Sequence, residues 1–179
     1  YFSAIDSYHP MLQKYSNAHE TFMINADVVN LDEEYLYSVL AHEFQHMIHW
    51  YQDRNETSWM NEGFSELAVS LNGYPVGGWH RVYLDNRDIQ LNTWPVESSQ
   101  QGVHYGSSYL FMQYFLDRFG AEVTQTLVQE DTDGLASIDV VFEDLGFQST
   151  QSEGWLTAEE VFIDWTIAST INDPNVDEG

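Results

Sequence analysis

Cysteine is absent from the 179 residues, so neither a disulfide nor a thiol nucleophile enters any account of this chain. Positive charge is almost missing too: Lys14 is the only lysine, four arginines accompany it, and 29 acidic residues leave a formal net charge of −24. So acidic a surface repels phosphate backbones, which excludes nucleic acid as a natural partner. No apolar run is long enough to span a bilayer, and the opening at Tyr1 lacks the basic-then-apolar pattern of a signal peptide. Internal repeats and low-complexity tracts are missing as well. The length suits one domain, and abundant aromatic residues can fill its core.

Against that background one run stands out, His42-Glu43-Phe44-Gln45-His46. Positions four apart lie on one face of an α-helix, so His42 and His46 can aim ring nitrogens at a single ion. Glu43 then sits beside the ion without having to bind it, placed to take a proton from an attacking water and pass it to a leaving group. A tetrahedral catalytic zinc needs a third protein ligand and one open position. Glu62, in Asn61-Glu62-Gly63-Phe64-Ser65-Glu66, is the candidate. Met60, Phe64, Leu67, Ala68 and Leu71 form an apolar helical stripe between Trp59 and Leu71, while Glu62 and Glu66 fall one turn apart on another face. Two carboxylates so placed repel unless a cation or a donor stands between them. Glu62 is therefore assigned to the metal, and Glu66 to the free N–H of a ligating histidine, His42; Asn61 joins this supporting layer. Zinc follows from ligand type, although cobalt or manganese also suits an N/N/O set.

The first helix reads the same way. Between Asp32 and Tyr51, Leu36, Leu40, Phe44, Met47 and Tyr51 make a core stripe, with Asp32 as cap and Asp32, Glu33 and Glu34 favoured by the N-terminal dipole. His49 lies on the same side as His42 but about 10 Å along the axis, too far to share its ion; rim, support or solvent are its open readings. His9, His19 and His80 have no partner spacing and receive no role.

These motifs resemble those of the gluzincins, zinc peptidases with HExxH and a third ligand, a glutamate, on a following helix. Asn61-Glu62-x-x-Ser65-Glu66 matches the thermolysin-type N-E-x-x-S-[DE] pattern, and Trp59-Met60-Asn61-Glu62-Gly63-Phe64 is similar to the W-L-N-E-G-F of membrane-alanyl-aminopeptidase relatives. Leu40 to Ile48 looks closest to the hyicolysin-type bacterial peptidases. The likeness is strong over roughly Leu31 to Leu71 and softer out to about Gly120. It implies zinc and peptide hydrolysis by a promoted water, with Glu43 as general base and acid. It further implies a downstream oxyanion donor, Tyr105 or His104, with Tyr105 just before a helix from about Ser107 to Phe119. Tyr109 and Tyr114, deeper in that helix, read as packed aromatics.

Departures narrow the expectation. His49 and Gln52 stand where a metzincin requires a glycine and a third histidine. Aminopeptidase relatives carry a G-x-M-E-N strand whose glutamate holds the free amine of the substrate, whereas Phe22-Met23-Ile24-Asn25-Ala26 has no acid there. A metalloendopeptidase is therefore expected, with an aminopeptidase or a non-catalytic metal-binding module derived from a peptidase as alternatives. Keeping Glu43 argues against the last, since a structural site needs no base.

His19 to Val29 alternates like a strand, which in the resembling family is the edge strand that pairs with extended substrate. Tyr74 to Gly102, with Pro75, Gly77, Gly78 and Pro95, suggests an irregular connection. Helical segments are expected near Ala121–Glu130, Leu135–Leu145 and Thr157–Ile171, the last opening on a Thr157-to-Glu160 capping box. The expected fold is a helix-dominated α+β, thermolysin-like catalytic domain over residues 1–179, with a small sheet over the active-site helix. The zinc-site part runs to about residue 105, and a helical lobe covers about 106–179. Because gluzincins usually place a sheet before the site helix, the chain reads as a fragment of a longer secreted precursor. The acidity suits a bacterial or archaeal extracellular protein in saline surroundings, or a surface that takes calcium. Asn172 to Glu178 has calcium-friendly oxygens without a loop spacing and reads better as a frayed tail. A monomer with a polypeptide substrate and no membrane or nucleic-acid partner completes the expectation.

Overall fold

The acid run at Asp32–Glu34 turns into helix where the apolar periodicity starts. The computed structural model describes residues 21–25, 27 and 30–171, which form six helices. Helix α1 spans Glu34–Gln52, and its N-cap is Glu33 in an extended conformation with no side-chain cap. Asp32 is therefore not the cap; its backbone N–H donates to Asn30 Oδ1 at 3.3 Å. Helix α2 (Ser58–Leu71) follows after a short connection, then α3 (Trp79–Asp85), α4 (Ser98–Val128), α5 (Leu135–Leu145) and α6 (Ala158–Ile171).

Two stretches differ from their sequence reading. The connection expected to be irregular contains α3 and the first turn of α4. The cause is tertiary: a Cβ on Gly102 would lie 2.6 Å from the Trp79 ring and one on Gly106 only 2.1 Å from the Trp79 carbonyl oxygen, so α3 beds directly onto α4. Helix α4 is broken at Gly120 (φ 83°, ψ 173°), where the sequence divides Phe119 from Ala121.

The expected α+β architecture is overturned. The described residues form no sheet, only isolated bridges such as Gln148 with Trp155, and the layers are helix on helix. Phe22–Asn25 are not a strand despite their alternation, because no neighbouring strand among the described residues accepts them. Substrate pairing along an edge strand at Phe22–Ala26 thus loses its basis. His19, Glu20, Ala26, Val28 and Val29 of that stretch, and the Asn172–Glu178 tail, lie outside the described residues.

The core joins Trp59, Met60 and Phe64 of α2 to Phe111 and Phe115 of α4, Phe142 of α5 and Trp165 of α6, all buried. Phe111 stands between Trp59 and Trp165 in edge-to-face contacts with centroids 5.8 and 5.5 Å away. At Gly63 the α2–α4 crossing is tight, for a Cβ there would meet Ser108 O at 2.9 Å. The stripe assigned to α1 is buried only in part. Leu36 is covered, but Phe44 is 48% and Tyr51 79% exposed. Phe44 instead lines an open groove of about 560 Å³ with Phe22, Tyr37, Leu40, Ile48 and Tyr74.

Candidate metal centre

Helices α1 and α2 pack side by side, and α1 lends His42 and His46, four apart, to the point that Glu62 of α2 reaches. His42 Nε2 and His46 Nε2 are 3.0 Å apart, and Glu62 Oε2 lies 3.2 Å from the first and 3.4 Å from the second. Tetrahedral bonds of about 2.0–2.1 Å produce ligand-to-ligand edges of about 3.3–3.4 Å, so this triangle has the size of one face of a zinc-type coordination shell.

The other ring nitrogens decide the tautomers. His42 Nδ1 faces Glu66 Oε1 at 3.1 Å, and a carboxylate only accepts, so Nδ1 carries the proton. His46 Nδ1 lies 2.8 Å from Asn61 Oδ1 and 3.0 Å from Ser65 Oγ. Because Ser65 Oγ donates to the Asn61 carbonyl at 3.0 Å, it accepts from His46, and that Nδ1 is also the protonated one. With both imidazoles neutral, as metal binding requires, each turns its Nε2 lone pair toward the Glu62 carboxylate. Three lone pairs meeting at one point fit a cation, and His42, His46 and Glu62 form a set able to hold one.

Without an ion the same crowding appears as perturbed protonation. Burial works against charging His42, but Glu62 and Glu66 outweigh it and raise its pKa to about 9. Burial favours neutral Glu62, yet the two histidines reverse that and hold it at about 2.

Glu43, half-buried on α1, adds negative charge to the neighbourhood of Tyr105. The Tyr105 pKa is pushed up by burial first, then by Glu62, Glu66 and Glu43, so the hydroxyl stays a donor. Its ring lies 6.3 Å from that of His42 and is flanked by Trp79 at 6.4 Å and Trp94 at 4.9 Å. Tyr105 does not precede a helix, as the sequence suggested; it sits within α4, which starts at Ser98, beside Trp79 of α3. His104, the competing oxyanion donor, is buried against Trp94, lowered in pKa by that burial and hydrogen-bonded to the Thr93 backbone. The structure thus brings His42, Glu43, His46, Glu62, Glu66, Asn61 and Tyr105 together and turns His104 to other partners.

Ser65 is the residue that sequence reasoning passed over. Its signal was the i, i+4 step from Asn61, parallel to that from Glu62 to Glu66. His49 is neither rim nor solvent-exposed: it is 1% exposed, edge-on to Phe64 at 5.4 Å, and burial lowers its pKa to about 4.

Comparison of the chain with protein-family models, curated proteins and solved structures returns no match.

Proposed function

We propose that the protein is a zinc-dependent endopeptidase, with zinc held by His42, His46 and Glu62. The observation that carries this reading is the convergence of three ligand atoms at tetrahedral spacing, with the acid Glu43 next to His42 on the same helix. A structural site has no use for that acid. Zinc, when bound, supplies Lewis acidity toward the attacking water and the scissile carbonyl. Glu43 takes the proton of the water and returns it to the leaving amine. Tyr105, kept protonated, donates to the oxygen that becomes negative as the carbonyl is attacked. Glu66, Asn61 and Ser65 hold the two imidazoles in the tautomers that leave Nε2 free. The acidic surface suits a secreted enzyme in salt-rich surroundings.

The test is zinc content together with cleavage of an internally quenched, end-blocked peptide library, with and without chelator, for the wild type and Glu43→Gln. One zinc bound at this triad and chelator-sensitive internal cleavage are expected, with Glu43→Gln retaining zinc and losing turnover. Turnover that survives Glu43→Gln removes the assigned base and with it the mechanism.

A further inference from the structure

Beyond the first site, α1 ends in a second group of metal-competent side chains. His49 lies in the last turn, Asp53 is the C-cap, and Glu56 stands in the connection to α2. One ligand atom from each lies within 4.8 Å of the others, close enough for small side-chain movements to bring all three to one ion.

What sets this group apart from an ordinary acidic surface is burial without satisfaction. His49 is 1% and Asp53 6% exposed. Neither ring nitrogen of His49 has a hydrogen-bond partner among the described residues, and neither do Asp53 Oδ2 and Glu56 Oε2. Buried polar atoms are almost always paired, so one His49 nitrogen, Asp53 Oδ2 and Glu56 Oε2, left without protein partners in one place, point to a bound ligand.

The remaining carboxylate oxygens show how the free ones are oriented. Asp53 Oδ1 accepts from the Asn55 backbone N–H at 3.0 Å. Glu56 Oε1 accepts from the Thr57 backbone N–H, from Thr57 Oγ1 at 2.7 Å and from the Gly134 N–H at 2.9 Å. Each acid is thus pinned through one oxygen and leaves the other unpaired. The C-terminal end of α1 adds partial negative charge at the same place.

We infer that His49, Asp53 and Glu56 form a second, structural site for a divalent transition ion of the zinc class. The imidazole argues against calcium, which takes oxygen ligands only, while one nitrogen and two carboxylate oxygens suit zinc. Through Glu56 the ion ties α1 to the start of α2 and, by way of Gly134, to the entry of α5. It thereby fixes the two helices that carry the first ligand set. The inference does not depend on peptidase activity.

The test is a zinc titration of the full chain after chelator treatment, followed by calorimetry and elemental analysis. The wild type should take up two zinc ions. Asp53→Asn combined with Glu56→Gln should take up one and keep the first site, whereas Glu62→Gln should lose the other and keep this one. A cobalt titration of the unaltered chain should show two stoichiometric breaks in its visible spectrum, a readout that needs no variant to fold. A single bound ion in the wild type that disappears entirely in Glu62→Gln overturns the inference, as does displacement of the second ion by calcium. Failure of peptide cleavage with two ions bound would count against the proposed function alone.

Discussion

In Glu66→Gln, the carboxylate that accepts from His42 Nδ1 at 3.1 Å becomes an amide of nearly the same size. The site keeps its packing but loses the charge that orients the ring and raises its basicity. Losing such a partner costs about 10- to 100-fold in metal affinity, or about 1.4–2.7 kcal/mol. A second effect opposes it. Metal-free His42 has a pKa of about 9, so binding at pH 7 must expel a proton at a cost of about 2.7 kcal/mol. Glu66 is one of the two carboxylates that raise this pKa, and its removal lowers the cost. The variant should therefore bind zinc 10- to 100-fold more weakly at pH 9, where proton expulsion hardly matters, and lie closer to wild type at pH 7. Competition with a chromophoric chelator measures both. Equal affinities at pH 9, or a wider gap at pH 7 than at pH 9, would refute the assignment of Glu66 and the tautomer argument behind it.

Tyr105→Phe removes the donor and leaves the ligands untouched; kcat on a blocked peptide should fall about 100-fold with zinc content unchanged, and an unaltered kcat would move the oxyanion donor elsewhere. The metal-free protein should lose stability as pH rises. His42 goes from an ordinary 6.5 to about 9 on folding, so its contribution is whole below about 6.5 and lost by about 9, roughly 3 kcal/mol across that window. Urea midpoints at pH 6 and 9.5 read this, the zinc-loaded protein should not show it, and a flat metal-free profile would contradict it. Gly106→Ala forces a methyl to within 2.1 Å of the Trp79 carbonyl; α3 must shift, and the unfolding free energy from urea titration should fall by about 1–3 kcal/mol.

Local signals that needed only one helix were legible. Leu135–Leu145 appears with its expected bounds, and the box before α6 forms: Thr157 N–H donates to Glu160 Oε2 at 2.9 Å while Glu160 N–H donates to Thr157 Oγ1 at 3.3 Å. The metal set was readable because helical spacing alone carries both histidines to one face and both glutamates to another. Features set by contact between elements were not. Nothing in the residues 79–85 announces a helix; Trp79 against Gly102 and Gly106 makes it one. The alternation at Phe22–Asn25 had the period of a strand but not the neighbour a strand needs. His49 looked peripheral by spacing, since Phe64 and the acids beyond the end of α1 surround it only after α2 has packed.

Because one ligand pair rides on α1 and the third ligand on α2, an ion held there is also a clasp between them. On the proposed peptidase reading, stripping the ion would slacken the segment that bears the histidines and offer it as an unfolded strand to neighbours that are still loaded. Partial chelation would then destroy protein rather than merely silence it. The loss would grow with the square of concentration and be fastest when half the molecules retain their metal.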